Sequence, residues 1–204
     1  MLHADDVARM LSRPVIVEEK LDGANVMLWI DDEHRIVSGL RSGSQGLDRG
    51  GQLGAVRAWA AQRSDELRHL LAGGAVLYAE WLQIRHSTPY DSLPSFLIGL
   101  DVGRPANGFA TADARNDLLS AAAVATPPEL FRGIVRDLAQ LERLIGPSRF
   151  GPGPMEGLIV RTRDGGEPRI AKMLRAGFAR IDDETWRRAR PRNLLADGGQ
   201  GTWA

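Results

Sequence analysis

The sequence predicts an α+β domain in which antiparallel β-sheets are flanked by helices. Three observations point there. Short strand-like runs outnumber helical ones, and most of the strand runs fall in hairpin-like pairs rather than alternating with helices. The chain has 204 residues, 43% of them hydrophobic, which is enough for one sizeable core.

The elements follow in order. A short helix begins near Asp5 or Asp6, either of which can cap it. Val15 to Glu19 reads as a strand that delivers Lys20, Gly23 breaks it, and Asn25 to Ile30 returns, followed by Arg35 to Ser38. Gly39 to Gly54, rich in glycine, serine and arginine, suits close backbone approach by a ligand. Helical spacing covers Leu53 to Leu71 (Val56, Trp59, Ala60, then Leu67, Leu70, Leu71), with Ser64 as cap of a second segment. Strands are expected at Ala75 to Leu82 and Phe96 to Val102, and Thr111 caps a helix running through Ala121. A further helix spans about 134–145. Glycine and proline from Gly146 to Pro154 mark a linker, before a hairpin made of Gly157 to Thr162, a turn at Asp164-Gly165-Gly166, and Arg169 to Leu174. Residues 1–175 thus form one domain, and 176–204 a C-terminal extension packed on it.

Composition narrows the function. The 26 basic and 26 acidic residues balance, so no global field draws the chain to nucleic acid or membrane, and any such contact is a local patch. With no cysteine, disulfides, thiolate catalysis and cysteine-ligated zinc are excluded. No apolar run approaches membrane-spanning length and the first residues lack a signal-peptide core, so the chain reads as cytoplasmic, with no membrane partner.

Only two lysines occur, Lys20 and Lys172, among 26 basic residues. Arginine stays protonated at any working pH, whereas a lysine amine can lose its proton and act as a nucleophile. Lys20 stands in Glu19-Lys20-Leu21-Asp22-Gly23-Ala24-Asn25, at a strand end that turns at glycine, from which an amine can project into a cleft. Taken alone, the motif is equally a surface Asp-Gly turn with an ion-paired lysine.

Further pieces follow in order: Arg41 in Leu40-Arg41-Ser42-Gly43, Glu80 in Tyr78-Ala79-Glu80-Trp81, Leu100-Asp101-Val102, Glu156-Gly157-Leu158-Ile159-Val160, and Lys172 in Ala171-Lys172-Met173. With Lys20-Leu21-Asp22-Gly23 at its head, this order resembles the ATP-dependent RNA ligases of the covalent nucleotidyltransferase superfamily, over about residues 15–175. Asn25 and His86-Ser87-Thr88-Pro89-Tyr90-Asp91 are similar to features of the RNA ligase branch.

The resemblance implies the nucleotidyltransferase fold and an enzyme that joins a 3′-hydroxyl to a 5′-phosphate through a lysyl-AMP intermediate. Lys20 would attack the α-phosphate of ATP. Because a free lysine has a pKa of about 10.4, holding it neutral at pH 7.4 costs about 4 kcal/mol unless the site assists. Asn25 and Lys172 would complete the catalytic set, Lys172 by neutralising the α-phosphate. Glu19, Asp22, Gly23, Arg41, Glu80, Leu100, Glu156 and Lys172 would hold the nucleotide: Glu19 at the adenine edge, Arg41 and Glu80 at the ribose, Leu100 against the base. Glu156 would ligate Mg²⁺ or Mn²⁺, since hard cations take carboxylate oxygens.

Some features depart from the pattern. Leu100 stands where an aromatic often stacks on adenine, with Phe96 four residues earlier, and Ile170 replaces one of two usual lysines, leaving Arg169 or Arg175 to compensate. Asp101 is read as fixing its own loop. The 32 residues after Lys172 are too few for an oligonucleotide-binding barrel. Arg41, and Arg187 and Arg188 in the basic run around Trp186, are the candidate contacts to a polynucleotide. The expected partners are RNA ends or nicks, or DNA ones, with an additional repair protein supplying strand binding. Three alternatives stay open: a minimal DNA nick ligase, guanylyl transfer, and a non-catalytic module that binds nucleotides or nucleic-acid ends.

Overall fold

The computed structural model describes residues 4–40, 52–104, 108–163, 169–180 and 191–199. Two antiparallel sheets form the frame. One has four strands in the order β7-β1-β8-β9, from β1 (Pro14–Lys20), β7 (Glu129–Ile134), β8 (Gly157–Thr162) and β9 (Ile170–Leu174). The other has five, in the order β3-β2-β4-β5-β6, from β2 (Ala24–Ile30), β3 (Ile36–Leu40), β4 (Val76–Trp81), β5 (Leu97–Arg104) and β6 (Gly108–Phe109). The α+β class with antiparallel sheets is as the sequence predicts.

Period-two alternation gives each sheet an outer apolar face and an inner face on a shared cleft. On the five-stranded sheet, Val26, Leu28, Leu77, Ala79, Trp81 and Val102 point outward. They pack against α2 (Gln52–Ala61), α3 (Ser64–Leu71) and α4 (Ala112–Ala121), burying Val56, Trp59, Leu67, Leu70, Leu71 and Leu119. On the four-stranded sheet, Val15, Val17, Leu158 and Val160 face Met10 of α1 (Ala4–Leu11) and Leu141 of α5 (Leu138–Glu142). The even-numbered residues Glu18 and Lys20 and the odd-numbered Ile159 and Arg161 are left to line the cleft.

Several local expectations are corrected. Ser64 is the first residue of α3 rather than its cap; Arg63 precedes it, with no side-chain cap bond. Thr111 does cap α4, accepting from the Ala114 amide at 3.4 Å. The single helix expected over 134–145 is instead the end of β7, a connection, and the five-residue α5 capped by Asp137. The helix begins later than the spacing suggests because Asp137, whose side chain accepts from the Gln140 amide, sets its start.

The expected linker at 146–154 is a packed loop. Ser148 and Arg149 bond to Glu19, and the Phe150 carbonyl accepts from the amides of Asp91 and Ser92. Residues 191–199 lie against the loop after β4, through the bridges Ile84 to Arg192 and Leu93 to Leu195.

Candidate active site

The cleft between the sheets has a volume of about 350 Å³ and is lined by Lys20, Asn25, Glu80, Leu100, Ile159 and Lys172, among others. Lys20 is the last residue of β1, opposite Gly157 of β8, and its Nζ donates to Glu156 Oε2 at 2.6 Å. The Glu156 side chain is 1% exposed and that of Lys20 15%, so the amine is the accessible member of the pair. Asn25 of β2 faces Glu80 of β4 directly in register. Glu80 Oε1 accepts from the Gly23 amide at 3.0 Å and Oε2 from Asn25 Nδ2 at 3.3 Å. Two chain positions 57 residues apart, Gly23 and Glu80, are thereby tied beside the lysine.

Burial dominates the electrostatics. Desolvation pushes the Glu80 carboxyl up to about 7, against the opposing pull of Lys20, Asn25 and the Gly23 amide. Glu156 is raised as well, first by desolvation, with the Lys20 hydrogen bond and charge pulling the other way. Two buried acceptors, Glu156 Oε1 and Asn25 Oδ1, have no hydrogen-bond partner among the described residues.

Two glycines allow the close approaches that shape this end of the cleft. A Cβ on Gly23 would lie 2.5 Å from the Trp81 carbonyl oxygen, and one on Gly157 would collide with the Met173 carbonyl. Leu100 reaches the cleft by another device. Ala79 pairs with Gly99 and Tyr78 with Asp101, so Leu100 is the extra residue of a β-bulge, its side chain re-aimed inward. Its carbonyl accepts from Arg115 Nη1 at 2.8 Å and Arg161 Nη2 at 3.1 Å.

Other motif residues are differently employed. Asp22 Oδ2 accepts from the amides of Ser87 at 2.6 Å and Thr88 at 2.8 Å, so it holds the 86–91 loop. Glu19 points to the opposite side of β1 from Lys20. Its carboxylate, raised by burial, accepts from Ser148 Oγ at 2.6 Å and the Arg149 amide at 2.8 Å. Phe96, four residues before Leu100, is buried edge-on against Trp81 at 6.1 Å and is not among the residues lining the cleft.

The cleft's aromatics are Tyr78 and Phe109, centroids 5.3 Å apart, with the Arg169 guanidinium 4.2 Å from the Phe109 ring. Arg169 also bonds Asp101 at 3.1 Å, so it is committed there. Ile170 and Lys172 share the cleft-facing side of β9. Arg41, Arg187 and Arg188 lie outside the described residues, as does the 164–166 turn.

The sequence reading missed a buried ion network in the cleft wall. Glu18 of β1 pairs with Arg115 of α4 and, at 2.7 Å, with Arg161 of β8; Arg161 in turn meets Asp101 of β5 at 2.9 Å. Asp101 therefore joins the two sheets, rather than only fixing its own loop. Desolvation opposes the charge of Arg161, but Glu18 and Asp101 outweigh it and hold the guanidinium raised. Signals existed: a glutamate ending the apolar run Val15 to Val17, and an arginine at an i+3 position between the buried Ala112 and Leu119 of α4.

No group of three or more histidine, cysteine, aspartate or glutamate side chains forms a metal cage among the described residues. The unpartnered Glu156 Oε1 and Asn25 Oδ1 instead suit a hard cation that keeps several waters.

A family model described as RNA ligase matches residues 13–174. The chain belongs to the RNA ligase family. Among solved structures, this family member is similar to Naegleria gruberi RNA ligase with PPi, at 16% identity and TM-score 0.63, over 91% of this chain and 55% of that one. A mutant of the same ligase with ATP and Mn matches at 16% identity and TM-score 0.60, over 84% and 52%. A mutant with AMP and Mn matches at 16% and 0.61, over 84% and 52%. The chain thus spans about half the length of these structures, and the likeness carries the fold: two antiparallel sheets with helices outside. No curated protein is similar enough to count as a match. None of the described helices is long and apolar enough to cross a membrane.

Proposed function

We propose that this domain is an ATP-dependent RNA ligase that works through a lysyl-AMP intermediate on Lys20. The observation that carries the reading is the 2.6 Å contact between Lys20 and the buried Glu156 at the mouth of a cleft that also holds Glu80, Asn25 and Lys172. A paired but accessible amine at a strand end is an aimed nucleophile.

In the first step Lys20 Nζ forms a bond to the α-phosphorus, the bond from that phosphorus to the β-phosphate oxygen breaks, and pyrophosphate leaves. Attack requires the neutral amine, so Lys20 first passes one proton to solvent and a second leaves the nitrogen for solvent as the N–P bond forms; the contact to Glu156 loosens as that charge is lost. Lys172, on the cleft side of β9, supports the charge that develops on the phosphoryl oxygens. Leu100 and Ile159, one from each sheet, are among the apolar surfaces available to the base, and Glu80 with Asn25 presents polar groups to the sugar. Glu156 Oε1 and Asn25 Oδ1 would hold Mg²⁺ or Mn²⁺ or its water, and a bound cation would neutralise the triphosphate. AMP then passes to the 5′-phosphate of an RNA end, and the 3′-hydroxyl displaces it, closing the phosphodiester. The setting we propose is cytoplasmic RNA repair, with strand-binding surface supplied by another protein.

The test is sealing of matched nicked duplexes. Joining of a 5′-phosphorylated RNA strand that depends on ATP and a divalent cation is the expected result. Sealing of DNA nicks in preference to RNA, or with GTP in preference to ATP, would overturn the assignment.

A further inference from the structure

Asn193 lies beyond the family-matched residues 13–174, on the C-terminal segment, yet it is 1% exposed and every polar atom of its side chain is used. Its Oδ1 accepts from the Tyr90 amide at 2.9 Å and its Nδ2 donates to the Leu82 carbonyl at 2.7 Å. The backbone repeats the grip, with the Asn193 amide donating to the Gln83 carbonyl at 3.0 Å and the Leu194 amide to the Tyr90 carbonyl at 3.0 Å. Tyr90, 2% exposed, is therefore held at both its backbone groups by residues 193 and 194.

Its side chain continues the connection. The Tyr90 hydroxyl accepts from the Asp22 amide at 2.9 Å, and the Asp22 carboxylate accepts from the Ser87 and Thr88 amides, closing a ring of bonds. Asp22 stands two residues after Lys20, and Gly23 after it donates to Glu80.

We propose that Asn193 is a positioning residue for Lys20: through Tyr90 and Asp22 it fixes the Lys20-Leu21-Asp22-Gly23 turn on which the nucleophile stands. Two facts favour this over a purely structural tie. A continuous series of bonds links the C-terminal segment to the Lys20 motif, from Asn193 to the Tyr90 amide and from the Tyr90 hydroxyl to the Asp22 amide. These bonds also end on a backbone amide of that motif, so the turn's geometry, and with it the line of approach of the amine, depends on them. A displacement of about 1 Å at such a turn is enough to cost up to about a hundredfold in rate. The inference rests on the lysyl-AMP reading above.

The test compares wild type, Asn193→Ala, Tyr90→Phe and the double variant. Single-turnover formation of the AMP adduct at saturating ATP is expected to slow about tenfold or more in each single variant, with ATP affinity unchanged. The double variant should be no slower than the slower single, because both interrupt one connection. A folded Asn193→Ala with the wild-type rate, or slowing that multiplies in the double variant, would overturn the proposal. A role in stability alone would lower the melting temperature while leaving the rate of the folded enzyme intact.

Hydrogen exchange supplies a readout without chemistry. Asn193→Ala should speed exchange at the amides of Asp22, Ser87 and Thr88, and unchanged protection at Asp22 would count against the connection. Wild type that gains no AMP would refute the lysyl-AMP reading itself, leaving the exchange result to judge the positioning claim. If Asn193→Ala does not fold, Tyr90→Phe, which deletes one hydroxyl, carries both measurements.

Discussion

Glu80 sits where its own charge is disfavoured, and that has a sign in stability. Its folded pKa is raised to about 7 from 4.5, so between those values the unfolded chain has lost the proton that the folded one keeps. Its contribution to stability therefore falls as pH rises through that window, and the full cost, about 3 kcal/mol, applies above it. Glu19 and Glu156, also raised by burial, act in the same direction. Glu80→Gln should melt higher than wild type at pH 8, with the difference vanishing toward pH 4.5. Turning the Asn25 amide lets its unpartnered Oδ1 accept from the new glutamine nitrogen. Equal pH dependence in the two proteins would contradict this account.

Residue by residue, the clustering of the candidate set was legible because its members stand in a recognisable order along the chain. Lys20, Asn25, Glu80, Leu100, Glu156 and Lys172 all line or reach one cleft. The supporting roles were not legible. Glu19 and Asp22 read as nucleotide contacts; in the fold the Glu19 carboxylate accepts from the Ser148 hydroxyl and the Arg149 amide, and that of Asp22 from the Ser87 and Thr88 amides, partners that only the fold supplies.

At the scale of elements, strands with clean alternation were found and short ones were missed. β1, β2, β4 and β8 each keep an apolar face, whereas β6 has two residues and β7 interrupts its pattern with Arg132 and Gly133. The tie between sheets was hidden because an ion pair leaves no periodic trace. Arg161 serves Glu18 on its own sheet and Asp101 on the other, with the three side chains almost wholly buried. Removing it leaves Glu18 with Arg115 and Asp101 with Arg169, so each buried carboxylate loses one of its two cations, a change that destabilises by about 1–3 kcal/mol. Arg161→Met should lower stability in urea by that amount, and a loss under 1 kcal/mol would show that the network does not hold the sheets.

For the molecule as a whole, two sheets turn their apolar faces outward to helices and their inner faces toward one cleft, which Lys20 lines. That arrangement converts separate stretches of one chain into a single cleft. Its central claim is that the Lys20 amine takes up AMP. The most direct measurement is digestion and mass analysis of protein incubated with ATP and Mg²⁺, beside Lys20→Arg treated in the same way. The account predicts one AMP on the peptide containing Lys20 and none on the folded variant; AMP on Lys172, on another residue, or on the Lys20→Arg protein would contradict it.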